Sequence, residues 1–319
     1  MRFIIYGAGG VGATIGGRLF QTGQSVVLIA RGAHLAALQE HGLRLHFPSE
    51  ELTLAVPVQK HPSALRFQSD DVVLLTMKTQ DTGPALDALV AAGYRGPVVC
   101  VQNGVDSERQ ALRRFGDVYG VCVILPATFL EPGLVLCHSE PVAGVLDIGR
   151  YPSGVDDMSV CIAQALRGAT FESSVEPDIM ASKYAKLLGN LGNALDAAAG
   201  MGAWDSALMR SARAEGRAVY AAAGINVLSS EMYNSRMALT KILAVGDMRH
   251  QGSSSWQSLA RGTGSIETDH LNGEITLLGR LHGVSTPVNA MLQALAAEMV
   301  RTNRSPGSYS ISDLEARLA

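Results

Sequence analysis

"MRFIIYGAGGVGATIGGRL", residues 1–19, decides the fold of this chain. A short run of strand-forming residues, Arg2–Tyr6, leads into Gly7, Gly9 and Gly12 in GxGxxG spacing, and a helical pattern follows through Thr22. In that order the glycines have separate tasks. Gly7 permits a tight turn, Gly9 lets the backbone approach a pyrophosphate, and Gly12 lets the helix pack against the strand. The helix N-terminus then turns unpaired N–H groups toward an anion. A glycine-rich turn can also be purely structural. Here a second strand, Ser25–Ala30, completes a strand–helix–strand unit around it, and that context points to a dinucleotide. The loop Gly7, Ala8, Gly9, Gly10, Val11 and Gly12 is therefore the expected cofactor cradle.

Beyond this unit the chain keeps alternating. Strand-like runs at Asp71–Thr76, Pro97–Gln102 and Asp117–Leu125 are interleaved with helical patterns such as Ala33–His41 and Gly83–Ala92. Continuous apolar strands separated by helices predict a parallel sheet covered on both faces. "FLEPGLVLCHSEPVAGVLDIG" carries turn signals at Pro132-Gly133 and Pro141, and reads as antiparallel. After about residue 175 strands nearly vanish and Ala/Leu/Met-rich helical patterns run to Val300. Asp178 is the expected N-cap of the first of these helices. The expected organisation is an α/β Rossmann-type N-terminal domain, residues 1–175, followed by an all-α C-terminal domain, residues 176–319. The tail from Thr302 on predicts a loop and one short helix.

Composition narrows the field. With 47% hydrophobic and 17% charged residues in 319, the chain can bury two cores. A formal net charge of −3 and the lack of any Lys/Arg run argue against nucleic acid. The four cysteines show no zinc spacing, and Cys100 and Cys122 lie in Val/Ile-rich runs, so free buried thiols in a reducing compartment are expected. The opening apolar run is too short for a signal peptide, and no run is long enough for a bilayer, so a cytoplasmic protein is expected. The eight histidines lack HExxH spacing and no G-x-S-x-G elbow occurs, so neither metal nor serine-hydrolase chemistry is expected.

The end of the second strand selects the cofactor. An NAD site carries an acid there for the ribose 2′-hydroxyl, whereas a 2′-phosphate needs a cation. Here "VVLIAR" ends on Arg31, whose guanidinium can grip a phosphate with two hydrogen bonds. This predicts NADPH over NADH, the alternative being that Arg31 only caps its loop. Lys78 and Asn103 also sit just past strand ends, where open α/β sheets gather their ligands. Each could equally be an ordinary polar loop residue.

In the helical half, "KYAKLLGNLGN" (183–193) places polar residues in a segment otherwise suited to burial. On one continuous helix Lys183, Lys186, Asn190 and Asn193 fall within about an 80° arc. A solvated face is the ordinary reading of such a stripe. Asparagine is a poor choice for one, however, and Gly189 and Gly192 leave room for something to come close. Further on, "SSSWQSLARGTGSIETDHLNGEI" (253–275) joins a serine cluster to Glu267, Asp269 and Asn272-Gly273. By themselves these serines read as a helix cap and Glu267 as a surface charge.

Taken together, the GxGxxG with Arg31, Lys78, "QNG" (102–104), Lys186-x-x-x-Asn190, the serine motif at 253–257 and "ExDxxNG" (267–273) resemble the ketopantoate reductase family over nearly the whole chain. That resemblance implies NADPH-dependent reduction of a 2-oxo acid, foremost 2-dehydropantoate to pantoate. It implies Lys186 as general acid, Asn190 as substrate ligand and Ser254 as substrate contact. Asn103, Ala127 and Glu267 would lie near the cofactor or the reacting centre, Glu267 as a second catalytic residue. Asn193 joins the substrate set because Ala194 stands where the family usually carries an asparagine. A protonated lysine suits the chemistry, since it offers both charge and a proton to a developing alkoxide.

Alternatives stay open at this point. Lys183, one turn earlier on the same face, competes with Lys186 for the role of acid, although only Lys186 has an asparagine four residues on. A β-hydroxyacid dehydrogenase shares the glycine-rich start and a helical lysine followed by asparagine, but usually has a Gly-x-x-Gly approach where this chain reads Met180-Ala181-Ser182-Lys183. A regulator that binds NADPH without turnover would need only the nucleotide half. The apolar helices of the second half are compatible with a homodimer.

Overall fold

The computed structural model describes residues 1–262 and 264–318. They form two compact units. The first comprises Met1–Gln102, Asp106–Ser182 and Ser230–His250; the second comprises Asn103–Val105, Lys183–Ser229 and the chain from Gln251 on.

The first unit begins β1 (Arg2–Tyr6), α1 (Gly10–Gln21), β2 (Ser25–Ile29) and α2 (Gly32–His41), followed by β3 (Leu43–His46), β4 (Glu51–Leu54), β5 (Val58–Gln59) and β6 (Asp71–Leu75). It continues through α3 (Thr82–Ala91), β7 (Val98–Cys100), α4 (Ser107–Leu112), β8 (Val118–Ile124), β9 (Ala127–Glu131), β10 (Leu134–Cys137), β11 (Ser139–Glu140), β12 (Gly144–Arg150), α5 (Asp157–Gly168) and β13 (Phe171–Glu172). An eight-stranded sheet has the order β13-β12-β8-β7-β6-β1-β2-β5, parallel throughout except for the β8/β12 pair. The strand order reverses between β1 and β6, which opens a crevice beyond their carboxyl ends.

Burial explains why these strands read as unbroken apolar runs. Phe3, Ile5, Val72, Leu74 and Val99 face one core, while Ile4, Tyr6, Val73, Leu75, Val98 and Cys100 face another on the opposite side. A strand buried on both faces has no polar side to alternate with. The β3–β4 hairpin, in "LRLHFPSEELTL", lay outside the sequence-based expectation; it joins β10 and β9 in a separate four-stranded sheet.

The second unit holds most of α6 (Ile179–Asn190), then α7 (Gly192–Ala199), α8 (Ala207–Ala223) and, after an excursion, α10 (Ser254–Ala260), α11 (Asn272–His282), α12 (Pro287–Arg301) and α13 (Ile311–Glu315). Its described residues form helices and loops only. A buried polar seam fastens them. Glu215 of α8 accepts from the backbone N–H groups of Val288 and Asn289 at 2.8 and 3.0 Å, capping α12. The Asn289 amide donates to Glu215 at 2.7 Å and accepts from Asn272 at 3.0 Å.

The division departs from a boundary at residue 175 in two ways. Asp178 does cap α6, accepting from Ala181 N at 3.3 Å, but the helix stays with the first unit until Ser182. The excursion α9 (Ser230–Met237) and β14 (Lys241–Ile242) belongs to the first unit as well. There β14 pairs with β11, Arg236 bridges to Asp147 at 2.8 Å, and His138 donates from Nδ1 to Leu243 O at 3.1 Å. Two-residue strands carry no periodicity, so nothing local in the sequence marks this return.

Candidate functional site

In the first unit the turn after β1 is fixed atom by atom. Gly7 has φ +110°, and a Cβ there would lie 2.6 Å from Met77 N. A Cβ on Gly12 would lie 2.3 Å from Gly7 O and 2.4 Å from the Thr76 hydroxyl. Both positions therefore require glycine. The N–H groups of Gly7 and Ala8 donate to Ile29 O, Gly9 N donates to Gly7 O at 2.7 Å, and Gly9 O accepts from Ala13 N at 2.8 Å. The N–H groups of Gly10, Val11 and Gly12, at the first turn of α1, have no acceptor within the helix by its geometry. The nearest atom to a Cβ built on Gly9 is a Phe129 ring carbon 4.0 Å away, so the backbone there is open to a phosphate. This cradle fits the pyrophosphate of a nicotinamide dinucleotide.

Of the other residues expected around the cofactor, Arg31, Lys78 and Ala127 lie in this unit, whereas Asn103 and Glu267 belong to the second. Arg31 is the exposed N-cap of α2, and its Nη2 donates to the Tyr6 hydroxyl at 3.3 Å. Lys78 follows Met77, whose backbone closes on Gly7, and it precedes a short 3-10 turn. Ala127 opens β9, with its Cβ 3.2 Å from a Cβ built on Gly10.

The second unit gathers Asn103, Lys186, Asn190, Asn193, Ser254 and Glu267. The "QNG" segment is held here because Gly104, at φ +75°, sits where a Cβ would be 2.9 Å from His270 O. That packing places Asn103 to accept a hydrogen bond at Oδ1 from the Lys186 ammonium. Lys186 is half-buried, whereas Lys183 is only 3% exposed. Asn190 lies four residues on, on the same face of α6 as Lys186. Glu267 is 2% exposed and begins the 3-10 turn that ends at His270.

The stripe expected on a single helix is interrupted. α6 ends at Asn190, and α7 starts at Gly192. Asn272 donates to the carbonyl of Leu191 between them at 3.1 Å, so this motif asparagine holds the junction. Asn193 is buried at the start of α7. Of the two glycines, Gly192 receives the Trp204 ring, a carbon of which lies 2.4 Å from a built Cβ; Gly189 faces open space. The serine motif divides its tasks. Ser253 is the N-cap of α10, accepting from Trp256 N at 3.3 Å and donating to Asn193 O at 3.2 Å, and Ser254 opens the helix.

Three residues that the sequence reading passed over take part. Asp196, 1% exposed, accepts from Ser253 N at 2.6 Å and so anchors the loop before Ser254. An acid in the Ala-rich run "ALDAAA" was its available signal. Tyr6 holds Arg31, and His34 bonds to Ala8 O at 2.6 Å; His34 lies three residues past Arg31, on the first turn of α2. Among the described residues no group of three or more His, Cys, Asp or Glu is placed to hold a metal, and no helix is long and apolar enough to cross a membrane.

Comparison with known proteins yields a consistent picture. Residues 3–153 match the model for "Ketopantoate reductase PanE/ApbA", and residues 178–300 match that for its C-terminal part. A 2-dehydropantoate 2-reductase of Mesorhizobium japonicum is 30% identical over 341 residues, covering 93% of this chain and 98% of its own. The enzyme of the same name from Pyrococcus horikoshii is 28% identical, covering 92% and 96% respectively. The crystal structure of a PanE/ApbA family ketopantoate reductase from Ralstonia eutropha JMP134 superposes with TM-score 0.79 at 30% identity, covering 95% of this chain and 100% of that one.

Proposed function

The chain belongs to the ketopantoate reductase PanE/ApbA family, and on that premise we propose that it reduces a 2-oxo acid to the 2-hydroxy acid with NADPH, 2-dehydropantoate to pantoate being the first candidate. The observation that carries this reading is the Lys186–Asn103 hydrogen bond, with Asn190 one turn along the same helix face. Bound NADPH supplies a hydride to the carbonyl carbon. Lys186 holds the proton that the oxygen needs as it becomes an alkoxide, and its charge stabilises that oxygen before the proton moves. Asn103 aims the ammonium by accepting one of its hydrogens. Asn190 offers an amide to the substrate hydroxyl or carbonyl, and Ser254 a hydroxyl to the carboxylate. Glu267 completes the polar set, while Asn193 serves it indirectly, since its carbonyl holds Ser253 beside Ser254.

In the first unit, Gly7 to Gly12 carry the pyrophosphate on the backbone, Arg31 takes the 2′-phosphate, and Lys78 and Ala127 flank the turn. A reducing, cytoplasmic setting agrees with four free cysteines, three of them buried. A homodimer belongs to the same proposal. It is supported by Leu277 and Leu281, 46% and 67% exposed one turn apart on α11, and is tested by the mass of the protein in solution.

The test of function is NADPH absorbance with a panel of 2-oxo acids. Rapid loss of absorbance with 2-dehydropantoate is expected. Tight NADPH binding without turnover of any 2-oxo acid would instead identify a nucleotide sensor.

A further inference from the structure

We propose that His34 is a positioning residue for the dinucleotide pyrophosphate, acting by locking one peptide plane of the glycine-rich turn. This rests on the reading of that turn as a nicotinamide-dinucleotide cradle.

The peptide between Ala8 and Gly9 lies at the centre of the turn. Its N–H, on Gly9, donates to Gly7 O at 2.7 Å, and its C=O, on Ala8, lies 2.6 Å from His34 Nε2. The ring tautomer follows from the second bond that His34 makes. Gly133 N donates to Nδ1 at 2.9 Å, so Nδ1 carries no hydrogen and Nε2–H donates to Ala8. Both polar groups of the plane are thereby engaged, and rotation about its flanking bonds breaks one or the other. Gly7, Gly9 and Gly10 lack the Cβ that would otherwise limit the backbone angles on either side of this plane.

The imidazole is itself held. Its ring lies 4.6 Å from the Phe129 ring, centre to centre, and the hairpin that supplies Phe129 also supplies Gly133. Burial lowers the ring's pKa below its ordinary value against the opposing pull of the Ala8 carbonyl, which agrees with the neutral tautomer. The next N–H groups along the chain, on Gly10 and Val11, are those that would meet the pyrophosphate. Their direction is set by the plane that His34 holds.

His34 shares α2 with Arg31, so the test must separate a local effect on the turn from a displaced helix. Binding of NADP⁺ and of 2′-AMP is measured by calorimetry for the wild type and for His34→Ala, His34→Gln and His34→Asn. Glutamine can donate where Nε2 does; asparagine can accept only where Nδ1 does. The proposal expects His34→Ala to weaken NADP⁺ about five- to tenfold, the worth of a neutral hydrogen bond. 2′-AMP has no pyrophosphate, and its binding should be unchanged. His34→Gln should restore NADP⁺ binding and His34→Asn should not. Equal weakening of both ligands by His34→Ala, or no weakening of either, overturns the proposal. Should His34→Ala fail to fold, the other pair decides: asparagine binding as well as glutamine refutes the role. A wild type that binds 2′-AMP but not NADP⁺ removes the cradle reading itself, and the proposal with it.

Discussion

At the turn after β1 the groups that would meet a nucleotide are backbone N–H groups, whereas on α6 the groups that would meet a substrate are the side chains of Lys186 and Asn190. The difference governs how each region tolerates change. A backbone site depends on what is missing: Gly7 and Gly12 work because a Cβ would collide with Met77 or with Gly7 O. A side-chain site depends on what is present and on what aims it, as Asn103 aims Lys186 and Asp196 anchors the loop before Ser254. The first kind of site fails through the fold, and the second through the chemistry.

The contrast is open to breakage, most severely at Lys186. Lys186→Ala should reduce kcat about a thousandfold, the range of a lost general acid, with NADPH affinity unchanged within a factor of two or so. If Lys183→Ala gave that loss while Lys186→Ala did not, the acid would be assigned to the wrong residue of the face. Gly12→Ala should act the opposite way. Crowding against Gly7 O and Thr76 should cost about 3 kcal/mol in denaturant unfolding and weaken NADPH binding, and unchanged stability would refute the close packing.

Arg31→Asp tests the side chain assigned to the 2′-phosphate. NADPH affinity should fall about thirtyfold while NADH affinity holds, a difference of one charge-assisted phosphate contact. Equal loss for both would reduce Arg31 to a loop cap.

The smallest effect is in pH. Burial lowers the pKa of both His34 and His138 in the folded state, against one opposing backbone carbonyl each. The unfolded chain, titrating near about 6.5, then binds more protons than the folded one as pH falls. Their contribution to stability is complete above that value and declines as pH drops from it toward the lowered folded pKa values. Unfolding curves measured from pH 7.5 to 5 should show the decline, and the double variant His34→Gln, His138→Gln should flatten it.

Much of the first unit was legible because its signals are local. The glycine spacing, Arg31 at the end of β2 and the apolar runs of β1, β6, β7 and β8 each reflect neighbours within a few residues. The β3–β4 hairpin is equally short-range, yet its partner β10 lies some ninety residues on, and the second sheet could not be foreseen from either piece. In the helical half the i,i+4 pair Lys186 and Asn190 was legible as a face, but extending that face to Asn193 was wrong, because α6 ends at Asn190. The interruption at Leu191 depends on Asn272, eighty-one residues away.

From sequence alone followed the glycine spacing after β1, the cationic end of β2, the strand–helix alternation through β1, β2, β6, β7 and β8, and the i,i+4 spacing of Lys186 and Asn190. These are set by periodicity and by the conformational limits of single residues. Only the tertiary structure decided that Asn103 accepts from Lys186, that Asp196 anchors Ser253, that 230–250 returns to the first unit, and that His34 holds the Ala8 carbonyl. Each of those joins groups distant along the chain or oriented by packing, and the pattern of a single segment carries no record of which distant group will fold against it.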